Sequence, residues 1–525
     1  MTDSRRASMA VAILLLGFWL VSLYGLAITP PVYEDEPWQA STGWKLATEG
    51  VFGSDMFAGY YNMDQRYYDF MPLHPAALAL VFRIAGPGLF QARLETVVFG
   101  LLTLCLTYAL GKRLFGTTVG LLAVALLLGL RLLATGRFQE TGIPLFDFAR
   151  IARYDMVVPV FGLAALHAYI TAMHKKRLVW YGASGLLAAL AGLSHLYGVF
   201  FLVVLLVLVA WNRDGWRALG MLVAGFVLPW LAYGAYVLGD LPDWRGQTKE
   251  YGPRFDLLNP AWYLDNLRRE AQRYQLGVAT VRGWLRPGLW LTAILLPAAW
   301  IGLARDALTR HDRHARVLLT GALLMPALFA LLITSKLANY LISFMPLWAL
   351  SCAWAAVALW RWSRGVRRGA IVRVALAVTF SAMLAEGASQ VARNVHRARE
   401  TTPYRSYIAE VRQHIPTGST VLGLHQFWFG LEDFPYRSWF VPIVLTDPAY
   451  HDPPLTASQA MAAIDPDVIL VDPKMRAFLT APESDSSAID PGTFLDWMTA
   501  QGFALDAQVD DPTYGLMEIY RRSAP

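Results

Sequence analysis

Apolar runs close to the length of a bilayer crossing recur along the first 390 residues, with short basic clusters between them. A spanning helix needs about 20 mostly apolar residues, because the segment must satisfy its own backbone polar groups in lipid. The first run, Ser8 to Ile28, follows Arg5 and Arg6 and lacks a small-residue cleavage site. Thr29-Pro30-Pro31 is expected to end it, which makes it a retained first span with a cytoplasmic N-terminus. Further runs cover 93–111, 117–134, 154–173, 178–194, 197–211, 218–238, 287–304, 316–334, 339–360 and 369–387, so about eleven spans are expected. Pro75 to Ala85 is apolar but short, and reads as a helix lying in the interface. Composition agrees: 56% of the 525 residues are hydrophobic and only 16% are charged. A soluble domain carries about 25% charged residues.

Charge placement tests this layout. Alternating sides from a cytoplasmic N-terminus leaves five loops inside: Gly111-Lys112-Arg113, His174 to Arg177, Asn212 to Arg217, Arg305 to Arg316 and Arg361 to Arg368. All five are basic, as cytoplasmic loops are. If 75–85 crossed, every later basic loop would face out. The outer loops are then 29–92, 135–153, the junction near His195, 239–286 and a short turn around Lys336. The net charge of +6 sits in the inner clusters rather than on a basic stripe with aromatic platforms, so nucleic acid is excluded as a partner. Cys105 and Cys352 lie in apolar runs and imply no disulfide framework.

Past about Ala388 the composition changes. Short β-like runs, Thr420-Val421-Leu422 and Asp467 to Val471, alternate with helical segments. The expected architecture is a polytopic all-α transmembrane bundle over 1–389, with a large first outer loop at 29–92, and a small extracytoplasmic α/β domain over 390–525.

Sorted by side, the unusual polar residues gather on the outer face. The first loop carries Tyr33-Glu34-Asp35-Glu36-Pro37-Trp38, then Asp64, Arg66, Tyr67, Tyr68, Asp69 and Met71-Pro72-Leu73-His74-Pro75. The second ends in Arg150-Ile151-Ala152-Arg153-Tyr154-Asp155. His195 and Tyr197 fall at a junction of spans, and Lys336, Asn339 and Tyr340 open another. Ionisable groups at span ends are costly and mark sites or pathways. Each also has a bland reading. The acidic triplet is a solvated loop, Asp155 pairs with Arg150 or Arg153, His195 is a structural hydrogen-bonding residue, and Lys336 snorkels to headgroups. On the residues alone, Asp35 or Glu36 is the central group. The acidic groups allow a divalent cation, yet no EF-hand spacing, HExxH or Cys/His cluster supports one, and no GxSxG marks a serine nucleophile.

The acidic pair after the first span, followed by a helical stretch ending Ala47-Thr48-Glu49-Gly50, resembles the first outer loop of C-type glycosyltransferases. The likeness is to the protein O-mannosyltransferase and lipid A aminoarabinose transferase branch. Pro72-Leu73 resembles that family's Pro-Pro-Leu element. Ala92-Arg93-Leu94, with Gly111 to Gly116 downstream, resembles the stretch around its second span. Arg153-Tyr154-Asp155 resembles its second acidic motif, and Ser335-Lys336-Leu337, Tyr340-Leu341 and Pro346 resemble its Ser-Lys-Leu…Tyr-Leu…Pro signature. The ordered set covers roughly 8–390.

The resemblance implies sugar transfer from a polyprenyl-phosphate donor to a hydroxyl of a glycan, lipid or protein, at the outer face of the cytoplasmic membrane. It implies Asp35 as general base, Asp155 as a second acidic group, and Arg153 and Lys336 as phosphate partners; Tyr340, and His195 from its place at the junction of spans, are expected at the substrate. Members often carry a Lys before Pro-Pro-Leu that is expected to meet the lipid phosphate. Here Phe70-Met71 stands instead, which passes that role to Arg66 or His74 and leaves the sugar open. A lipid-linked sugar flippase using Asp155 and Lys336 as a relay would show inverted repeats with broken helices, and none is visible. An assembly protein that presents the C-terminal domain would not need charged groups gathered at one face.

Overall fold

The computed structural model describes residues 2–274, 286–481 and 490–522. Part of the expected outer loop 239–286, residues 275–285, therefore lies outside the described residues. The fold is mostly helical with one small sheet near the C-terminus. Contacts divide the chain into two compact units. One comprises Met1–Gly25, Thr96–Gly234 and Phe255–His396; the other comprises Leu26–Glu95, Ala235–Arg254 and Arg397–Pro525.

The first unit holds most of the apolar helices. Seven described helical stretches are long and apolar enough to cross a membrane: Arg6–Leu23, Leu89–Phe115, Tyr154–Lys175, Trp216–Leu238, Pro287–Thr309, Arg313–Leu332 and Gly369–Gln413. Thr117–Gly129, Leu178–Ser194 and Leu196–Asn212 are apolar but shorter. The 13-residue helix Thr117–Gly129 rises only about 20 Å, short of the ~30 Å hydrocarbon core. The expected run 117–134 loses its last turn because Leu130 turns extended and the N–H groups of Leu132 and Leu133 both bond the Gly142 carbonyl. The run 339–360 likewise begins as a 3-10 turn, Ala338–Ser343, before the helix Met345–Ser363. Three basic turns are tight, with Lys176, Arg213 and His311 in the left-handed region.

The first helix ends earlier than its composition suggests. It stops at Leu23, ahead of the prolines, and Gly25 takes a left-handed φ of 60°. The last carbonyls of a helix need partners, and here one buried side chain supplies them. Arg150 Nη1 donates to the carbonyls of Ser22 (2.7 Å) and Tyr24 (3.0 Å), and Nη2 donates to Gly25 (3.2 Å).

In the second unit, five strands form a mixed sheet of order β2-β1-β3-β5-β4, where β1 is Val421–Gly423, β2 Tyr436–Ser438, β3 Val468–Val471, β4 Phe503–Asp511 and β5 Gly515–Arg522. β1 runs parallel to β2 and β3, while β5 is antiparallel to β3 and β4. All four residues of β3 are buried, as a strand covered on both faces requires. The expected β-like runs become β1 and β3. The β4–β5 hairpin was not anticipated, since Phe503–Asp511 mixes apolar residues with acidic ones and is largely exposed. The first loop's helices Asp35–Thr48 and Leu73–Ala85 belong to this same unit, packed so closely that a side chain at Gly43 would strike Leu78.

Candidate active site

Two groups of charged side chains stand out, one in each unit.

In the second unit, the helix Asp35–Thr48 begins at Asp35, with Glu34 as its N-cap residue and Pro37 in its first turn. The three adjacent carboxylates separate completely. Glu34 points to the surface and pairs with Lys474, an exposed pair of little energetic weight. Glu36 turns inward and is wholly buried against Arg93. Arg93 Nε and Nη2 each donate to a Glu36 oxygen at 2.7 Å. Its remaining hydrogens reach the carbonyls of Leu26 (2.9 Å), Pro30 (2.8 Å) and Pro31 (3.1 Å). All five guanidinium donors are thereby used, and Tyr33 N–H adds a 2.7 Å bond to Glu36. Glu36 is a clamp that fixes the entry to the helix. Asp35, between these two, stays partly accessible.

Beyond it, Tyr251 donates to Asp69 Oδ1 at 2.6 Å, and Tyr450 donates to Glu250 at 2.7 Å. Burial pushes the Asp69 carboxyl up to about 7, Tyr251 pulls it back, and the charges of Glu250 and Asp35 push it further up. Trp38 packs among Phe57, Phe70, His425 and Phe440 with ring centres 4.6–5.8 Å apart. His74 is sealed, with Nδ1 3.4 Å from Gln39 and Nε2 3.4 Å from Glu95. That burial withdraws it as a substitute for the missing Lys. Arg66 remains half-exposed, over the Tyr236 ring.

In the first unit, Asp155 pairs with Arg153 (2.8 Å) and not with Arg150, and it also accepts from Asn339 at 2.9 Å. Arg153 Nη2 donates to the Tyr154 hydroxyl at 2.9 Å. His195 lies 4.5 Å from the Tyr154 ring, 4.3 Å from Tyr197 and 5.5 Å from Tyr340. Burial pushes His195 down to about 4; Asp155 opposes this and Arg153 adds to it. The ring is neutral at physiological pH, so it offers a hydrogen bond and no charge. Its Nδ1 accepts from Tyr197 N–H at 3.1 Å, which leaves Nε2 as the N–H.

Lys336 is drawn inward: its Nζ meets Glu270 at 2.9 Å and the Ala330 carbonyl at 2.9 Å. The same Glu270 receives the fully buried Arg273 at 2.7 Å. Among the described residues two buried cations thus share one carboxylate, leaving one positive charge over. Arg273 also lies over the rings of Phe329 (5.4 Å) and Tyr340 (5.8 Å).

Arg273, Glu270 and the clamp made by Arg93 are not apparent from sequence alone, and Asp69 has no evident task there. One signal was available for the first two: basic residues clustered in 268–273, a loop placed on the side where basic residues are scarce. Among the described residues no three His, Cys, Asp or Glu side chains converge as a metal would need.

Residues 69–233 match the family model of the dolichyl-phosphate-mannose-protein mannosyltransferases. No curated protein matches. Among solved structures, ArnT from Cupriavidus metallidurans bound to undecaprenyl phosphate aligns with a TM-score of 0.62 at 14% identity, over 98% of this chain and 98% of that one. The same protein in its apo state gives 0.59 at 15% identity, over 100% and 99%. The oligosaccharyltransferase of Archaeoglobus fulgidus in its apo form gives 0.53 at 14% identity, over 98% of this chain and 74% of that one. The likeness in fold runs the length of the chain and bears out the resemblance to C-type membrane glycosyltransferases that the ordered motifs carry.

Proposed function

We propose that this chain transfers a sugar from a polyprenyl-phosphate donor to a hydroxyl acceptor at the outer face of the cytoplasmic membrane. The observation that carries the reading is the unbalanced positive charge at Lys336, Glu270 and Arg273. A buried cation without its own counterion is costly, and a site that receives an anion removes that cost. The lipid phosphate is such an anion, and the ring of Tyr340 lies against the same cluster. Arg153, already shared between Asp155 and Tyr154, adds a second guanidinium in the same unit.

In the reaction the acceptor oxygen attacks the anomeric carbon. The bond from that carbon to the phosphate oxygen breaks, and the phosphate departs with the electron pair. Asp35 takes the hydroxyl proton, and the fixed cations stabilise the leaving phosphate without reorganising. Asp155, held by Arg153 and Asn339, orients substrate through hydrogen bonds. His195, neutral, contributes hydrogen bonding only. Glu36 positions Asp35 through the helix start and does no proton transfer itself. Arg66 is left as the first-loop contact for the phosphate.

Lys336→Met and Arg153→Gln are expected to weaken binding of an undecaprenyl-phosphate sugar by roughly tenfold or more each, as the loss of a charge-assisted hydrogen bond does. Protein yield should be retained in Lys336→Met, whereas Arg153→Gln leaves Asp155 without its buried partner and should also lower stability. Unchanged donor affinity in both variants sinks the phosphate assignment. Orientation is tested separately: a cysteine at Ser54 or Ser419 should react with an impermeant maleimide in intact cells. Labelling only after lysis inverts the layout.

A further inference from the structure

On the first unit, the helix Gly369–Glu400 presents one apolar face outward, with Ile371, Val374 and Val378 exposed by 66%, 62% and 62%. Its other side lines a cleft of about 540 Å³ shared with the helices Thr117–Gly129, Pro287–Thr309 and Met345–Ser363. Leu122, Leu291, Val357, Trp360, Leu376 and Phe380 form apolar walls. Two arginines complete the lining. Arg361 closes the last turn of Met345–Ser363, and Arg364 caps that helix. Both are exposed, and among the described residues neither has an acidic partner.

We propose that this cleft seats one anionic phospholipid, with its acyl chains along the apolar walls and its phosphate between Arg361 and Arg364. Apolar walls on a lipid-facing helix are filled by hydrocarbon rather than water. Two unpaired guanidiniums at one end of such a groove select a phosphate, which they bind in the forked geometry that lysine lacks. A zwitterionic headgroup brings an ammonium toward the same two cations and is disfavoured. Basic pockets between membrane helices near a cytoplasmic surface bind anionic headgroups for this reason. The inference rests on the chain lying in a bilayer and is independent of its chemistry.

The test uses the full-length protein in detergent, titrated with phosphatidylglycerol or phosphatidylcholine and read by native mass spectrometry. Wild type should retain phosphatidylglycerol in preference. Replacing both arginines, Arg361→Gln with Arg364→Gln, should lower that retention about twenty-fold and leave phosphatidylcholine unaffected. Equal retention of the two lipids by wild type, or unchanged phosphatidylglycerol retention in the double variant, overturns the proposal. Undecaprenyl phosphate displacing phosphatidylglycerol at far lower concentration also overturns it, because the cleft would then be a donor-lipid site.

Discussion

Asp35→Asn is expected to cut sugar turnover about 10²–10⁴-fold while donor affinity and folded yield stay near wild type. The substitution keeps the size of the side chain and removes its basicity. Asp35 is the first residue of its helix, where the helix dipole favours a charged carboxylate, and it keeps partial access to solvent. Its neighbours give the contrast. Glu34→Gln should cost little, because its partner, Lys474, is exposed. Glu36→Gln should lower stability and turnover together, because it weakens the clamp on Arg93. Near-full turnover in Asp35→Asn with a dead, well-folded Glu36→Gln would move the base by one residue.

Arg93→Met is expected to destabilise the protein by roughly 3–5 kcal/mol, the range seen when one partner of a buried ion pair is removed. The loss is compound. Glu36 is left as a buried charge, and the carbonyls of Leu26, Pro30 and Pro31 lose their donor. Removing the charge as well, in Arg93→Met with Glu36→Gln, should recover part of that loss. Thermal unfolding of the detergent-solubilised variants measures both. A midpoint unchanged in Arg93→Met would show that the loop 26–36 is held by something else.

These two residues also mark how far the sequence could be read. The start of the helix at Asp35 was legible because Pro37 and the acidic residues around it are local signals. Strands β1 and β3 were legible because continuous apolar runs in a polar region have few alternatives. The long apolar helices followed from hydropathy. The premature end of the first helix did not, because its cause, Arg150, lies 126 residues beyond the Tyr24 carbonyl it satisfies. Arg93 reaches Leu26 across 67 residues in the same manner. Such partners leave no pattern in a local window.

Charge state was equally hidden. His195 reads in sequence as a structural or a substrate-contacting residue, and only its surroundings in the fold fix it as neutral. Asp69 reads as one more loop carboxylate until its neighbours Tyr251, Glu250 and Asp35 are seen. Asp155 had two candidate partners in sequence, and only the fold selects Arg153.

Movement of a sugar from a lipid phosphate by this chain is read out by transfer itself. Purified protein is incubated with a panel of radiolabelled polyprenyl-phosphate sugars and membrane extract as the source of acceptor, beside Asp35→Asn. Release of free polyprenyl phosphate and label in a new product are expected from at least one donor, with the variant slower by about 10²–10⁴-fold. Turnover of a nucleotide sugar in place of every lipid-linked donor, or equal transfer by wild type and Asp35→Asn, contradicts it.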